Sequence, residues 1–142
     1  MTEFLNNILT RLFSELEKAV QKLSDYSKIS KQEFLENYEK IDTAKYNFIV
    51  AIEAIIDICN HLIAERKLGY PQDYADVMRI IGKEVSFPEG FIDKLVQMAK
   101  FRNMLVHMYW EIEEEQLYKF ITENLDGFEI FESFIRSYLK KF

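Results

Sequence analysis

Between Arg102 and Tyr109 the chain sets out a guanidinium, an amide, an imidazole and a phenol: Arg102, Asn103, His107 and Tyr109. The whole sequence has only two histidines, and one of them is here. Read as one helix at about 100° per residue, Arg102 and Tyr109 fall about 20° apart, and Asn103 and His107 become surface neighbours. The four polar groups then share one broad face. Met104, Leu105 and Met108 point the other way, as a core-facing stripe would. A cation that never titrates beside a group that titrates near neutrality suits work on a phosphate.

Metal-independent RNA cleavage needs a base for the 2′-hydroxyl, an acid for the departing 5′-oxygen and a cation for the in-line transition state. His107 can be base or acid, and the planar fork of Arg102 fits phosphate oxygens. Asn103 would orient His107 or the phosphate. One histidine cannot easily do both proton jobs in one geometry. Read from the residues alone, Tyr109 is an amphipathic anchor near the helix end.

Other chemistries find no pattern. His61 and His107 are the only imidazoles, and there is no HExxH and no cysteine pair, so neither a protein-held metal nor a cofactor is expected. A carboxylate-only Mg²⁺ site stays open. There is no GxSxG elbow and no Gly-rich phosphate loop, and the lone Cys59 sits in an apolar run, where it reads as packing.

The elements that must position these groups read as helices. All four glycines and both prolines come after residue 68, so the first half carries no strong breaker. Phe4, Leu5, Ile8, Leu9, Leu12, Phe13, Leu16, Ala19, Val20 and Leu23 form one wide stripe, which predicts a first helix over Thr2–Tyr26. Ser30 and Glu33 form a capping box for a second helix running to Lys67, with an irregularity near Asp42 and Thr43. A further helix follows Pro71 and stops at Gly82, Gly82–Gly90 is a loop, and the motif helix runs from Pro88 or Glu89 to about Tyr109. An acidic start at Glu113–Glu115 opens the last stretch, which breaks at Asp126-Gly127 before a closing helix to Leu139. No strand alternation or repeat is present. The expected fold is all-α, an antiparallel up-and-down bundle of about five or six helices in a single domain over 1–142.

On the helix around Asn47–Leu62, Glu53, Asp57, Asn60 and His61 confine polarity to about 100° of the circumference. A helix this apolar is either central or shared with a partner. The polar strip is either a solvated face or a lining for the motif helix, and Asp57 and His61, four apart, could pair.

The net charge of -6 argues against a general affinity for nucleic acid and against DNA binding. Locally, Lys94, Lys100 and Arg102 outnumber Asp93 between Phe91 and Trp110, while EIEEE at Glu111–Glu115 works the other way. One cysteine excludes an internal disulfide and fits a reducing cytoplasm. The first residues lack the pattern of a signal peptide. The run Phe48–Cys59 is interrupted by Glu53 and Asp57, which makes it too short and too charged to span a bilayer.

Arg102-Asn103, then His107 and Tyr109, resembles the signature of the HEPN superfamily, and RNMLVHMYW resembles its HepT-like branch, the toxin half of HepT/MntA toxin-antitoxin pairs. The likeness extends to IDICNHLIAE at Ile56–Glu65 and to GYPQDYADVMRIIG at Gly69–Gly82, and covers roughly the whole chain as pattern. It implies a HEPN-like homodimer in which two copies each of Arg102 and His107 cleave RNA, leaving a 2′,3′-cyclic phosphate. Asn103, Asp57, Asn60 and His61 match recurring positions. It also implies that a MntA-like nucleotidyltransferase antitoxin attaches AMP to Tyr109. Of the seven other tyrosines, Tyr118 and Tyr138 are the expected exposed rivals. A non-catalytic helical module that binds a nucleotide or a partner, acting with a nucleotidyltransferase, is the alternative function.

Overall fold

The computed structural model describes residues 3–142. Its elements are α1 (Glu3–Tyr26), α2 (Lys31–Leu35), α3 (Tyr38–Arg66), α4 (Tyr74–Val85), α5 (Glu89–His107), a 3-10 turn at Tyr109–Glu111, α6 (Glu114–Glu123) and α7 (Asp126–Leu139). Among the described residues there is no strand, so the fold is all-α as expected. The described residues form seven helices where about five or six are expected, because the long second helix is cut in two near its start. Thr2, the expected first residue of α1, lies outside the described residues.

Helix α1 buries Leu5, Leu9, Leu12, Phe13, Leu16, Ala19 and Leu23 as one stripe packed on α3, with Phe4 left outside it and largely exposed. Ser30 caps α2 as the sequence predicts, its hydroxyl accepting the Glu33 N–H at 3.1 Å. That helix nevertheless stops at Leu35. Asn37 starts a new helix, its side-chain oxygen accepting the Lys40 N–H at 3.1 Å. The interruption thus falls at Glu36-Asn37 and not at Asp42 and Thr43, which lie inside α3.

Helix α3 is the axis of the molecule, and α1, α4 and α5 pack around it. Ile52, Ile55, Ile58 and Leu62 are among its fully buried side chains. Its apolar width is therefore taken up within the fold. It is the one described helix long and apolar enough, by length and composition, to cross a membrane, and 61% of its most apolar window is buried inside the protein. Length alone does not separate such a core helix from a span, because α3 extends well beyond Phe48–Cys59 on both sides.

Helix α4 begins behind Asp73, whose carboxylate accepts the Asp76 N–H at 2.8 Å. It passes through Gly82 to Val85 and closes on Ser86, held in the left-handed region at φ 64°. Gly82 is not a terminator. A Cβ there would lie 2.6 Å from Ile92 Cγ1, so the missing side chain is what lets α4 close on α5. Helix α5 is thereby seated against both α3 and α4. The acidic start of α6 falls where the sequence places it, but the break lies at Asn124-Leu125, and Asp126 and Gly127 are the first residues of α7.

Candidate active site at the end of α5

Arg102 lies on the last third of α5 and turns inward to the polar strip of α3. Its Nε and Nη2 both donate to Glu53 Oε1, at 3.2 and 2.9 Å. Its Nη1 donates to Asn103 Oδ1 at 3.0 Å, and the guanidinium carbon lies 5.1 Å from the centre of the Tyr74 ring on α4. Three elements thus fix one cation. Only 16% of the Arg102 side chain is exposed, against 44% for Glu53, so the pair sits at the rim of the core.

The strip on α3 is therefore neither wholly solvated nor wholly a lining. Glu53 lines the motif helix. Asp57 and Asn60 face outward and His61 is half-buried; no hydrogen bond joins Asp57 to His61 among the described residues. Partial burial and the neighbouring Glu53 nevertheless push the Asp57 carboxyl up, while the fields of His61 and Arg102 pull it down. Glu53, marked in the sequence only as the centre of the polar strip, is the site residue that spacing on α5 alone could not reveal.

His107 is the last residue of α5 and is exposed. Five residues from Arg102, it is turned about 140° away around the helix, and no hydrogen bond joins the two. Asn103 braces Arg102 and not His107. The expected core stripe is also incomplete: Leu105 is buried, but Met104 and Met108 are 41% and 40% exposed. Val106 and Trp110 are exposed as well, so four apolar side chains are open at the helix end and just beyond it.

Tyr109 does not share the helical face of Arg102, because α5 ends at His107 and Met108 leaves helical backbone at φ -136° and ψ 46°. The chain turns, and Tyr109 opens the 3-10 turn laid against the first half of α3. Its hydroxyl donates to Asp42 Oδ1 at 2.9 Å. The buried Lys45 donates from Nζ to the Tyr109 carbonyl at 3.1 Å and lies 4.3 Å from the ring centre. Burial and the hydrogen bond to Asp42 push the phenol up to about 12.

The expected rival acceptors are not open. Tyr138 is buried with its hydroxyl donating to Glu84 at 2.6 Å, and half-buried Tyr118 donates to the Ile29 carbonyl at 2.6 Å. The exposed tyrosines are Tyr38, Tyr46 and Tyr70. Cys59 is fully buried and its thiol is pushed up by that burial, which suits packing and not attack. Among the described residues no three His, Cys, Asp or Glu side chains gather as a metal cage would.

The same helical arrangement recurs in solved HEPN toxins. It matches a toxin-antitoxin structure with AMP-PNP at TM-score 0.84 and 23% identity, covering 92% of this chain and 98% of that one. It matches the tri-AMPylated HEPN toxin of Shewanella oneidensis, solved with its MNT antitoxin, at TM-score 0.82 and 23% identity over 96% and 99% of the two chains. The fold is that of a HEPN protein. The chain belongs to the ribonuclease HepT-like family, whose model matches residues 16–135. Among characterised relatives, it is 24% identical to the mRNA nuclease HepT of Shewanella oneidensis over 94% of this chain and 99% of that one. It is also 24% identical to the tRNA nuclease HepT of Aphanizomenon flos-aquae, over 82% and 80% of the two chains.

Proposed function

We propose that this protein is the toxin of a toxin-antitoxin pair, an endoribonuclease that cleaves RNA without a metal and is silenced when a MntA-like nucleotidyltransferase attaches AMP to Tyr109. It works as one HEPN-like domain per protomer, over 1–142, in a cytoplasmic homodimer. The observation that carries this reading is the state of Arg102. A guanidinium has five N–H groups. Three are given to Glu53 and Asn103, which leaves two for a phosphate on a cation already held in place. Such a cation loses little freedom when the transition state forms.

Arg102 and His107 diverge around α5, so one protomer does not aim both at the same phosphate. A two-fold partner resolves this, because the His107 of each copy can approach the phosphate held by the Arg102 of the other. Met104, Val106, Met108 and Trp110 supply the apolar surface that such a pairing would cover. Asp57, Asn60 and His61 continue the α3 strip beyond Glu53 and serve as support for the bound strand. The relatives named as mRNA and tRNA nucleases, and the AMP-bearing toxin, support both halves of the reading.

A second reading, a non-catalytic module that binds a nucleotide or partner, draws on Glu53, whose carboxylate offsets the charge of Arg102. One experiment decides between them. Incubated with RNA in EDTA, the protein is expected to leave 2′,3′-cyclic phosphate ends, and Arg102→Ala or His107→Ala to slow cleavage about a hundredfold or more. Ends carrying a 3′-hydroxyl, or an unslowed His107→Ala variant, sink the mechanism.

A further inference from the structure

Two side chains of α3 attend Tyr109, and the cleavage chemistry proposed above does not use them. Asp42 is exposed, and its one hydrogen bond among the described residues comes from the Tyr109 hydroxyl, at 2.9 Å. Lys45 is 6% exposed, and its ammonium donates to the Tyr109 carbonyl and lies against the ring face. If these contacts only tied the turn to α3, the lysine would suffice. An exposed Asp-to-Tyr hydrogen bond adds little to stability. What Asp42 adds is chemical: a nucleophile and a base within hydrogen-bond reach, with a third group fixing the nucleophile's ring, form the arrangement by which hydroxyls are activated.

The other tyrosines lack this combination. Tyr138 has a carboxylate partner in Glu84 but is buried. Tyr118 gives its proton to a backbone carbonyl, which cannot take it away. Tyr38, Tyr46 and Tyr70 are exposed, but no hydrogen bond from their hydroxyls is found among the described residues. Tyr26 and Tyr74 are half-buried like Tyr109, but no hydrogen bond from their hydroxyls is found, so among the described residues accessibility and a bonded base coincide only at Tyr109.

We propose that Asp42 is the general base for nucleotide attachment to Tyr109 and that Lys45 positions the phenol for attack. This rests on the reading above that Tyr109 is the acceptor. The Tyr109 oxygen attacks the α-phosphorus of a nucleoside triphosphate held by the nucleotidyltransferase. The new O–P bond forms as the bond to the bridging oxygen breaks, pyrophosphate leaves with that electron pair, and the phenolic proton passes to Asp42 Oδ1. Because the phenol is protonated at neutral pH, the base is needed at the moment of attack. Once the oxygen carries phosphate, it has no proton for Asp42 and places a negative charge beside that carboxylate, so the product is pushed away from its starting position.

The test is the single-turnover rate of AMP attachment by the cognate nucleotidyltransferase with ATP, read as a function of pH, with the modified residue located by tandem mass spectrometry. Asp42→Asn is expected to slow attachment at pH 7 by about a hundredfold, with the deficit closing towards about pH 9 as hydroxide takes over the proton. Asp42→Glu, which keeps the base, is expected to recover most of the rate. An Asp42→Asn variant as fast as wild type at pH 7, or slowed by one factor at every pH, overturns the assignment of the base. AMP found on another tyrosine of the wild-type protein overturns both this proposal and the reading on which it rests.

Discussion

The sequence offers Arg102 as the cation of the proposed phosphate site, but its restraint is not legible there. Spacing along α5 places it near Asn103 and His107, whereas its main partner, Glu53, is 49 residues away on another helix. Local periodicity cannot report a contact across the core. The consequence is testable through kinetics. In Glu53→Gln the guanidinium loses its ion pair, so the site becomes more positive and less fixed. KM for RNA is expected to fall a few-fold while kcat falls about tenfold, a split that simple unfolding would not produce. Asp57 lends itself to a pH test. Its carboxyl is raised in the fold, so the folded state holds that proton more tightly than the unfolded chain does, and stability declines as pH rises through the folded titration. Asp57→Asn should therefore raise Tm by about 1–2 °C at pH 7, where the charged form is penalised, and the gain should vanish in acid. At Tyr109, the Phe variant is expected to keep cleaving RNA but to take up no AMP, as intact mass would show.

At the scale of elements, helix content and most helix starts follow from stripes and caps that the sequence displays openly, as with Leu9, Leu16 and Leu23 on α1 or Ser30 before α2. The misplaced boundaries share a cause. Gly82 looks like a stop because glycine is a weak helix former, yet the close approach of Ile92 makes glycine the residue that fits inside α4. Lys67 and Ser86, which actually end α3 and α4 in left-handed conformations, are not residues that announce such a role. Gly82→Ala should then destabilise the protein by about 1–3 kcal/mol, measured by denaturant unfolding, since a β-branched neighbour has little room to move. It should also disturb Arg102, because α4 carries Tyr74. The double variant with Ile92→Ala should restore the helix spacing and part of the loss. Were Gly82→Ala neutral, the close contact would not be what sets the approach of α4 to α5.

At the scale of the whole molecule, the apolar breadth of α3 pointed in the sequence to either a core or a shared surface, and the fold assigns it to the core. The surface open to the proposed second copy is instead the end of α5, where the chain leaves its helix and exposes Met104, Val106, Met108 and Trp110. A sequence read as an unbroken helix to Tyr109 turns two of these inward and so hides the patch. The homodimer is expected to bury about 1,200–2,000 Å² in total, and Val106→Asp to yield monomers in light scattering with cleavage lost, although Arg102 and His107 are both intact. A fully active monomer would remove the composite site. Trp110 gives this interface its own lamp. It is the only tryptophan in the chain, it is 77% exposed, and it directly follows Tyr109. Indole emission shifts to the blue when water is excluded, so the colour of the protein's own fluorescence should move to the red on dilution through dimer dissociation and back to the blue when an antitoxin covers the turn, allowing assembly and neutralisation to be followed in real time without any label.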